Sequence, residues 1–392
     1  MNTAAFAVVT ALGKQVYDLT DSELALGLLG LAEFAPAFLL VLLTGTVADR
    51  YDRRRVVGLA SVGEAVGVLG LAWYAGTGPT AVLPIFLLVI AFGVARAFAS
   101  PSSRSLPADV VVPEALPWLV ARNAATWQSA LIVGPILGGT LYAVDERLPF
   151  LVAAVLLLVG GAAVQVVERR SAGGPLPVPL PDEAPAEKAS LRDAFEGLRF
   201  IRGHPILLGV ISLDLFAVLF GGAVALLPAI ADDRLHVGAA GLGWLRASVG
   251  IGAALVTLVL TRRPVTRHVG RTLLVAVGVF GVFTVVLGLT RSYVVAFVAL
   301  AVLSGADAVS VFIRGTLVPL VTPRDTRGRV LAVEHLFIGA SNELGAFESG
   351  VAGQLVGASG AVVLGGVATM AIAGGWALAF PALRRVDRFP TS

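Results

Sequence analysis

Apolar runs dominate this chain, and their lengths carry the first inference. Twelve runs read as helices, at about residues 2–17, 24–48, 56–76, 80–101, 117–143, 149–167, 205–231, 239–261, 272–290, 293–313, 329–355 and 360–381. Few segments alternate polar and apolar residues as a half-buried strand would. A hydrocarbon core about 30 Å thick is crossed by about 20 apolar residues in a helix, and most of these runs have that length. The first is short and contains Lys14. At 1.5 Å per residue it spans only about 25 Å. Either Lys14 snorkels to the outer interface, or the helix begins upstream of this chain. A cleaved signal peptide fits poorly, because no positively charged segment precedes the run and no clear cleavage site ends it.

The polar segments divide the runs into two sets of six. Residues 171–187, SAGGPLPVPLPDEAPAE, are too rich in proline for a membrane helix. Residues 190–202, SLRDAFEGLRFIR, place Leu191, Phe195, Leu198 and Ile201 at helical spacing, which predicts an amphipathic interfacial helix. The reading is therefore a six-helix bundle over 1–168, a linker with an interfacial helix over 169–204, a second six-helix bundle over 205–381 and a tail over 382–392.

Charge then orients the chain. Every second loop is rich in arginine: Arg50 and Arg53 to Arg55, Arg104, Arg169 and Arg170, Arg262 to Arg271, Arg324 to Arg329, and Arg384 to Arg388. The opposite loops hold Asp18, Asp21, Glu23, Asp145, Glu146, Asp232 and Asp233. Positively charged loops stay in the cytoplasm, so this pattern predicts that both termini are cytoplasmic.

Composition agrees. The chain is 57% hydrophobic and only 14% charged, against about 25% charged in soluble domains, so most of its outer surface is expected to face lipid. It has no cysteine, which excludes disulfides and thiol chemistry. The four histidines lack metal-ligand spacing, and nothing calls for a cofactor. A net charge of +3, dispersed in loops, gives no basis for nucleic-acid binding. No G-x-x-x-x-G-K-[ST] occurs, and no nucleophile–base constellation points to an enzyme.

The two halves resemble each other. Arg104 precedes Pro113 by nine residues, as Arg314 precedes Pro323. Gly134 and Gly139 are five apart, as are Gly345 and Gly350. The charged loop at 45–57 has a partner at 262–271. Repeats of this kind place a substrate site near mid-membrane, between the halves.

Two motifs carry a family resemblance. Gly45-x-x-Ala48-Asp49-Arg50-x-x-Arg53-Arg54-Arg55 resembles the loop signature of the major facilitator superfamily, G-x-L-A-D-R-x-G-R-R, with Asp52 where glycine is usual. Gly134-Pro135-Ile136-Leu137-Gly138-Gly139 resembles the G-P-x-x-G-G motif of its proton-coupled exporters. QVYDLT (Gln15 to Thr20), the interfacial segment and SNELGAFESG (Ser341 to Gly350) are similar to the branch that exports enterobactin and drugs. The resemblance implies an all-α fold of twelve transmembrane helices in two six-helix repeats. It assigns Asp49, Arg50 and Arg54 to a conformational gate, where the bare alternative is a topological anchor. Gly134, Pro135, Gly138 and Gly139 would form a hinge, or ordinary small-residue packing.

Ionisable residues at membrane depth usually face the bundle interior and mark function. They are Glu33, Glu64, Arg96, Arg122, Asp214, Arg246, Asp307, Glu334, His335, Glu343 and Glu348. Depth selects Glu33, Asp214 and Glu343 as proton-coupling candidates, each with an interhelical ion pair as the alternative. Arg96, Asp307 and Arg314 read as charge pairs near the cytoplasmic end. Phe34, Trp127, Gln128, Phe216 and Asn342 are candidate walls of a substrate cavity.

These readings describe a monomeric secondary transporter of a bacterial inner membrane. It exports an amphipathic small molecule, a drug, siderophore or other metabolite, against protons. An importer on the same fold is the alternative, and a non-transporting sensor or scaffold a more remote one.

Overall fold

A computed structural model describes residues 1–111, 115–166 and 191–390, and the proline-rich segment 171–187 lies outside them. The described residues are helical throughout, with no strand among them. The first half holds α1 (Asn2–Thr20), α2 (Glu23–Leu39), α3 (Val41–Arg50), α4 (Arg53–Ala75), α5 (Leu83–Val110), α6 (Leu116–Val144) and α7 (Leu148–Val166). Helix α8 (Leu191–Gly203) is the amphipathic one. The second half holds α9 (Pro205–Phe220), α10 (Leu227–Ala229), α11 (Gly238–Arg262), α12 (Val269–Leu289), α13 (Tyr293–Val321), α14 (Arg327–Val356), α15 (Ala358–Ala379) and α16 (Pro381–Arg384).

Among the described residues nine helices are long and apolar enough to cross a membrane, or ten if the bent pair α2 and α3 is one span. Helices α1 and α14 have the length but carry Lys14 and Asp18, and Glu334, Glu343 and Glu348, respectively. Counting both gives twelve, consistent with the number of apolar runs.

Two runs are not the single regular helices that hydropathy suggests. The second bends by 54° between α2 and α3, at Leu40, one turn after Pro36. The seventh stops at Phe220, before Gly221 and Gly222. It continues as a 3-10 turn, the short α10 with Pro228, and a π turn over Ile230–Arg234. Paired glycines and a proline lacking an N–H make an unbroken ladder unfavourable there.

Local signals set other ends. Ser22 caps α2, its hydroxyl accepting from the Ala25 N–H at 3.3 Å. Gly357, at φ 77°, separates α14 from α15. In α8 the apolar face docks: Ile201 is buried beside α9 residues, while Phe195 stays exposed.

Within the first half α1 packs on α6 and α7, and α4 on α5 and α7. Within the second, α12 packs on α13 and α15, and α11 on α13. Two helix pairs make the main crossings between the halves, α6 with α11 and α2 with α14, and α1 adds smaller contacts to α10 and α11. In lipid no hydrophobic force draws helices together, so close backbone packing at small residues does. A Cβ on Gly139 would lie 2.7 Å from the Gly243 Cα, and one on Gly350 would lie 2.8 Å from the Gly27 Cα. The two crossings thus match in residue type and closeness.

Both contacts lie toward the acid-rich ends of the helices. Toward the Arg-rich ends the seam opens: Ala121 to Trp127 of α6 and Ala37 to Leu39 of α2 are exposed. The halves meet on one side of the membrane and part on the other.

Candidate transport pathway

At the seam lies a cavity of about 420 Å³. Each half contributes charge to it: Glu33 from α2, Arg246 from α11, Asp307 from α13 and Glu343 from α14. Gly13, Gly30, Gly221 and Gly222 leave the room. Glu33 interacts electrostatically with Arg246, Arg96 and Glu343. The Arg246 Nε is buried without a hydrogen-bond partner, so its cation is incompletely satisfied. Such a group is costly at membrane depth unless a ligand, water or a carboxylate compensates it.

Asp214, grouped with Glu33 and Glu343 by depth alone, does not line this cavity but borders a small neighbouring pocket together with Asp307. Its Oδ2 accepts from Arg314 Nη1 at 2.6 Å, and both side chains are 7% exposed. Arg314 pairs with Asp214 and also interacts electrostatically with Asp307, seven residues away on α13, which borders the cavity. Arg96 lies 5.9 Å over the Phe92 ring and interacts with Glu33 and the buried Glu64.

Among the candidate walls, Asn342 lines the cavity, and its amide also donates to the Ile338 carbonyl at 2.8 Å. Phe34 packs on Phe38 with ring centroids 5.7 Å apart and planes tilted by 32°, and faces Gly339 of α14 across the seam. Gln128 is committed to packing, donating to the Gly250 carbonyl of α11 at 2.7 Å. Trp127 meets Phe6 edge-on at 5.3 Å. Phe216 packs on Trp376 at 5.5 Å. Of the five candidates only Asn342 belongs to the cavity lining; Phe34, Gln128, Trp127 and Phe216 do not.

The glycines of α6 face two neighbours. A Cβ on Gly134 would lie 2.9 Å from the Thr3 carbonyl oxygen, and one on Gly138 would lie 2.9 Å from the Ala7 Cα, both on α1. Gly139 faces α11, as does the Pro135 carbonyl, which approaches Gly243. The motif therefore lets one helix contact its own half and the other half at once.

In the Arg-rich loop Asp49 and Arg50 are exposed. Asp52, the departure from the family pattern, caps α4 by accepting from the Arg54 N–H at 3.0 Å. It also accepts from the Arg54 guanidinium at 3.4 Å. The Arg54 carbonyl in turn accepts from Gln165 of α7 at 2.6 Å.

The acid-rich end holds a cluster that the sequence did not reveal. Lys14 Nζ donates to Asp232 Oδ2, in the π turn of the second half, at 2.8 Å, and also pairs with Asp18. The Tyr17 hydroxyl donates to Asp233 at 2.5 Å, and the Tyr142 hydroxyl to Asp18 at 3.1 Å. Lys14 is 9% exposed, so it ties the two halves together instead of reaching for water. No spacing rule links Lys14 to Asp232, 218 residues away. Arg246 was visible as a charge at depth, but nothing in its neighbourhood in the sequence pointed to Glu33.

The chain is 26% identical over 322 residues to the enterobactin exporter EntS of Escherichia coli O1:K1, covering 82% of this chain and 74% of that protein. It has the same identity and coverage to EntS of Shigella boydii serotype 18. Among solved structures it resembles a bacterial homolog of the human lysosomal transporter Spinster in an inward-facing, unoccupied conformation. That match has a TM-score of 0.68 and 14% identity and covers 98% and 95% of the two chains. A POT family transporter in complex with 5-aminolevulinic acid matches at a TM-score of 0.72 and 11% identity, covering 97% and 94%. The family model of the Major Facilitator Superfamily matches residues 1–333, and the chain belongs to that superfamily of membrane transporters.

Proposed function

We propose that this protein is a proton-coupled exporter of an amphipathic small molecule, acting as a monomer in a bacterial inner membrane with both termini in the cytoplasm. The observation that carries the reading is the cavity at the seam. It takes Glu33 from one half and Glu343 from the other. It lies between a side where the halves touch and a side where they part.

In the described arrangement the acid-rich side is sealed by the glycine crossings and the Lys14–Asp232 pair. The positive-inside rule makes that side the outer one, so the state is inward-open. Rocking the halves about the α2–α14 and α6–α11 crossings would reverse the opening. Glu33 and Glu343 would then change neighbours, because they belong to different halves. A carboxylate at this depth is tolerated as an anion only beside a partner such as Arg246 or water. Losing the partner favours proton uptake, and cargo that competes for the same carboxylates would link its movement to the proton. Asp49, Arg50 and Arg54 would latch the Arg-rich side when it closes. The likeness to the enterobactin exporter and the GPILGG motif support export over import.

The test uses everted vesicles from cells overproducing the protein, with an acidified lumen and a panel of fluorescent dyes and catechol siderophores. Export predicts cargo accumulation that dissipates the pH gradient, with accumulation lost in Glu343→Gln. Movement of cargo out of such vesicles would establish an importer. Accumulation with an unaffected pH gradient would refute proton coupling.

A further inference from the structure

We propose that two lipid-facing grooves flanking α4, which share Arg55, form a site for one anionic phospholipid. The first groove, about 590 Å³, runs between α4 and α7, lined by Gly58, Leu59, Val62, Leu158 and Ala162. The second, about 490 Å³, runs between α3, α4 and α5, lined by Val47, Val56, Leu59, Ala95 and Phe98. Arg55 borders both, and Leu59, 75% exposed, is the ridge between them. Neither groove opens to the cavity at the seam, which shares no residue with them.

The chemistry fits a lipid with one phosphate and two acyl chains. Below Arg55 both grooves are mostly apolar, with Ser61 and Gln165 the polar residues of the first. From Arg55 to Val62 they descend about 10 Å along the helix, well into the ~15 Å of one leaflet's hydrocarbon. Small residues let α4 and α7 approach closely beneath the first groove: a Cβ on Gly161 would lie 2.8 Å from the Ser61 Cβ, and Gly58 and Ala162 border the groove. At the top stands an exposed guanidinium, which offers a phosphate two parallel donors. Asp52 also borders the second groove, and its carboxylate accepts from the Arg54 N–H and guanidinium. Tyr51, 65% exposed, borders the second groove beside Arg55 and adds an amphipathic ring where headgroups lie. The Arg-rich end faces the cytoplasmic leaflet by the positive-inside rule, and anionic lipids attract basic segments at that surface.

The site adjoins the loop that carries Asp49, Arg50 and Arg54, just ahead of Arg55. A bound lipid would fix the start of α4 relative to α3 and α7.

The experiment reconstitutes the full chain in liposomes with spin-labelled phosphatidylglycerol or phosphatidylcholine, and reads the motionally restricted lipid by electron paramagnetic resonance. The wild type should prefer phosphatidylglycerol. Arg55→Gln should lower that preference about fivefold, the factor expected for one surface cation. Arg267→Gln, a cation in the loop between α11 and α12, should leave it unchanged. Ala162→Trp, which fills the first groove without changing charge, should also reduce it. An unchanged preference in Arg55→Gln, or an equal fall in Arg267→Gln, would overturn the headgroup assignment. An unchanged preference in Ala162→Trp would overturn the acyl seat.

Discussion

Two groups of charge sit at membrane depth, and their surroundings differ. Asp214 and Arg314 both belong to the second half, 2.6 Å apart, with both side chains 7% exposed. Glu33, Arg246, Asp307 and Glu343 come from four helices of both halves and surround open space. The first group keeps its geometry whichever way the halves rock. The second cannot, because Glu33 rides on one half and Arg246, Asp307 and Glu343 on the other. A carboxylate's depth in the membrane is therefore a poor guide to its task; the body that carries its partner is the better one.

Substitutions separate the two groups most sharply. Removing one partner of a buried pair leaves an uncompensated charge, at a cost of about 3–5 kcal/mol. Arg314→Leu is accordingly expected to lower folded yield and thermal stability severely, as read by monodispersity and melting in detergent. Glu343→Gln, beside a cavity, is expected to fold with a melting temperature near wild type and to lose gradient-driven transport in vesicles. Equal stability losses in both would erase the distinction.

The seam offers the next contrast. Gly139 touches the other half at its backbone, whereas Gly134 and Gly138 touch α1 of their own half. Gly139→Leu should force the α6–α11 crossing apart. At the ~1–3 kcal/mol typical of overpacking, the ratio favouring the conformer with the halves separated on the acid-rich side rises by about five- to a hundredfold. Gly138→Leu should instead disturb the first half and lower its stability. Distances between labels on α6 and α11 would show which change each variant makes.

A smaller effect is expected at the Lys14 cluster. Asp232→Asn keeps the shape and removes the charge that joins the halves. A partly exposed pair is worth about 1 kcal/mol or less. The outward-open fraction should therefore rise no more than about fivefold, with little change in melting temperature. The smallest effect is at Asp52. Replacing it by glycine, the residue usual in the loop signature, should cost only a few tenths of a kcal/mol through the α4 cap, measurable as a slight shift in thermal melting.

Much of this architecture was legible in the residue pattern. Run lengths, alternating arginine loops and the GPILGG motif all report on local structure, and hydropathy and spacing are local signals. The breaks after Leu39 and Phe220 were hidden because their residues are as apolar as a continuous helix. The site was legible only in part. Glu33 and Glu343 were conspicuous as acids among leucines and glycines, and both border the cavity. Asp214 looked the same and lies elsewhere, since its partner is 100 residues distant in sequence and no periodicity joins them. Gln128 and Phe216 had suitable chemistry, but which helix face meets a neighbour is decided by tertiary packing. The Lys14–Asp232 contact is the extreme case, formed by the first helix and an irregular turn of the other half.

The central claim is that the carboxylates at the seam set which side is open. Because the chain has no cysteine, single cysteines can be introduced and spin-labelled at Ala125 of α6 and Leu336 of α14. Both are exposed on the side where the halves part. Pulsed electron–electron resonance would then read their separation in liposomes at acid and neutral pH. The account predicts that wild type redistributes between a long and a short distance as pH changes. It predicts that Glu33→Gln with Glu343→Gln holds one distribution at both. A wild-type distribution indifferent to pH, or a double variant that still responds, would contradict it.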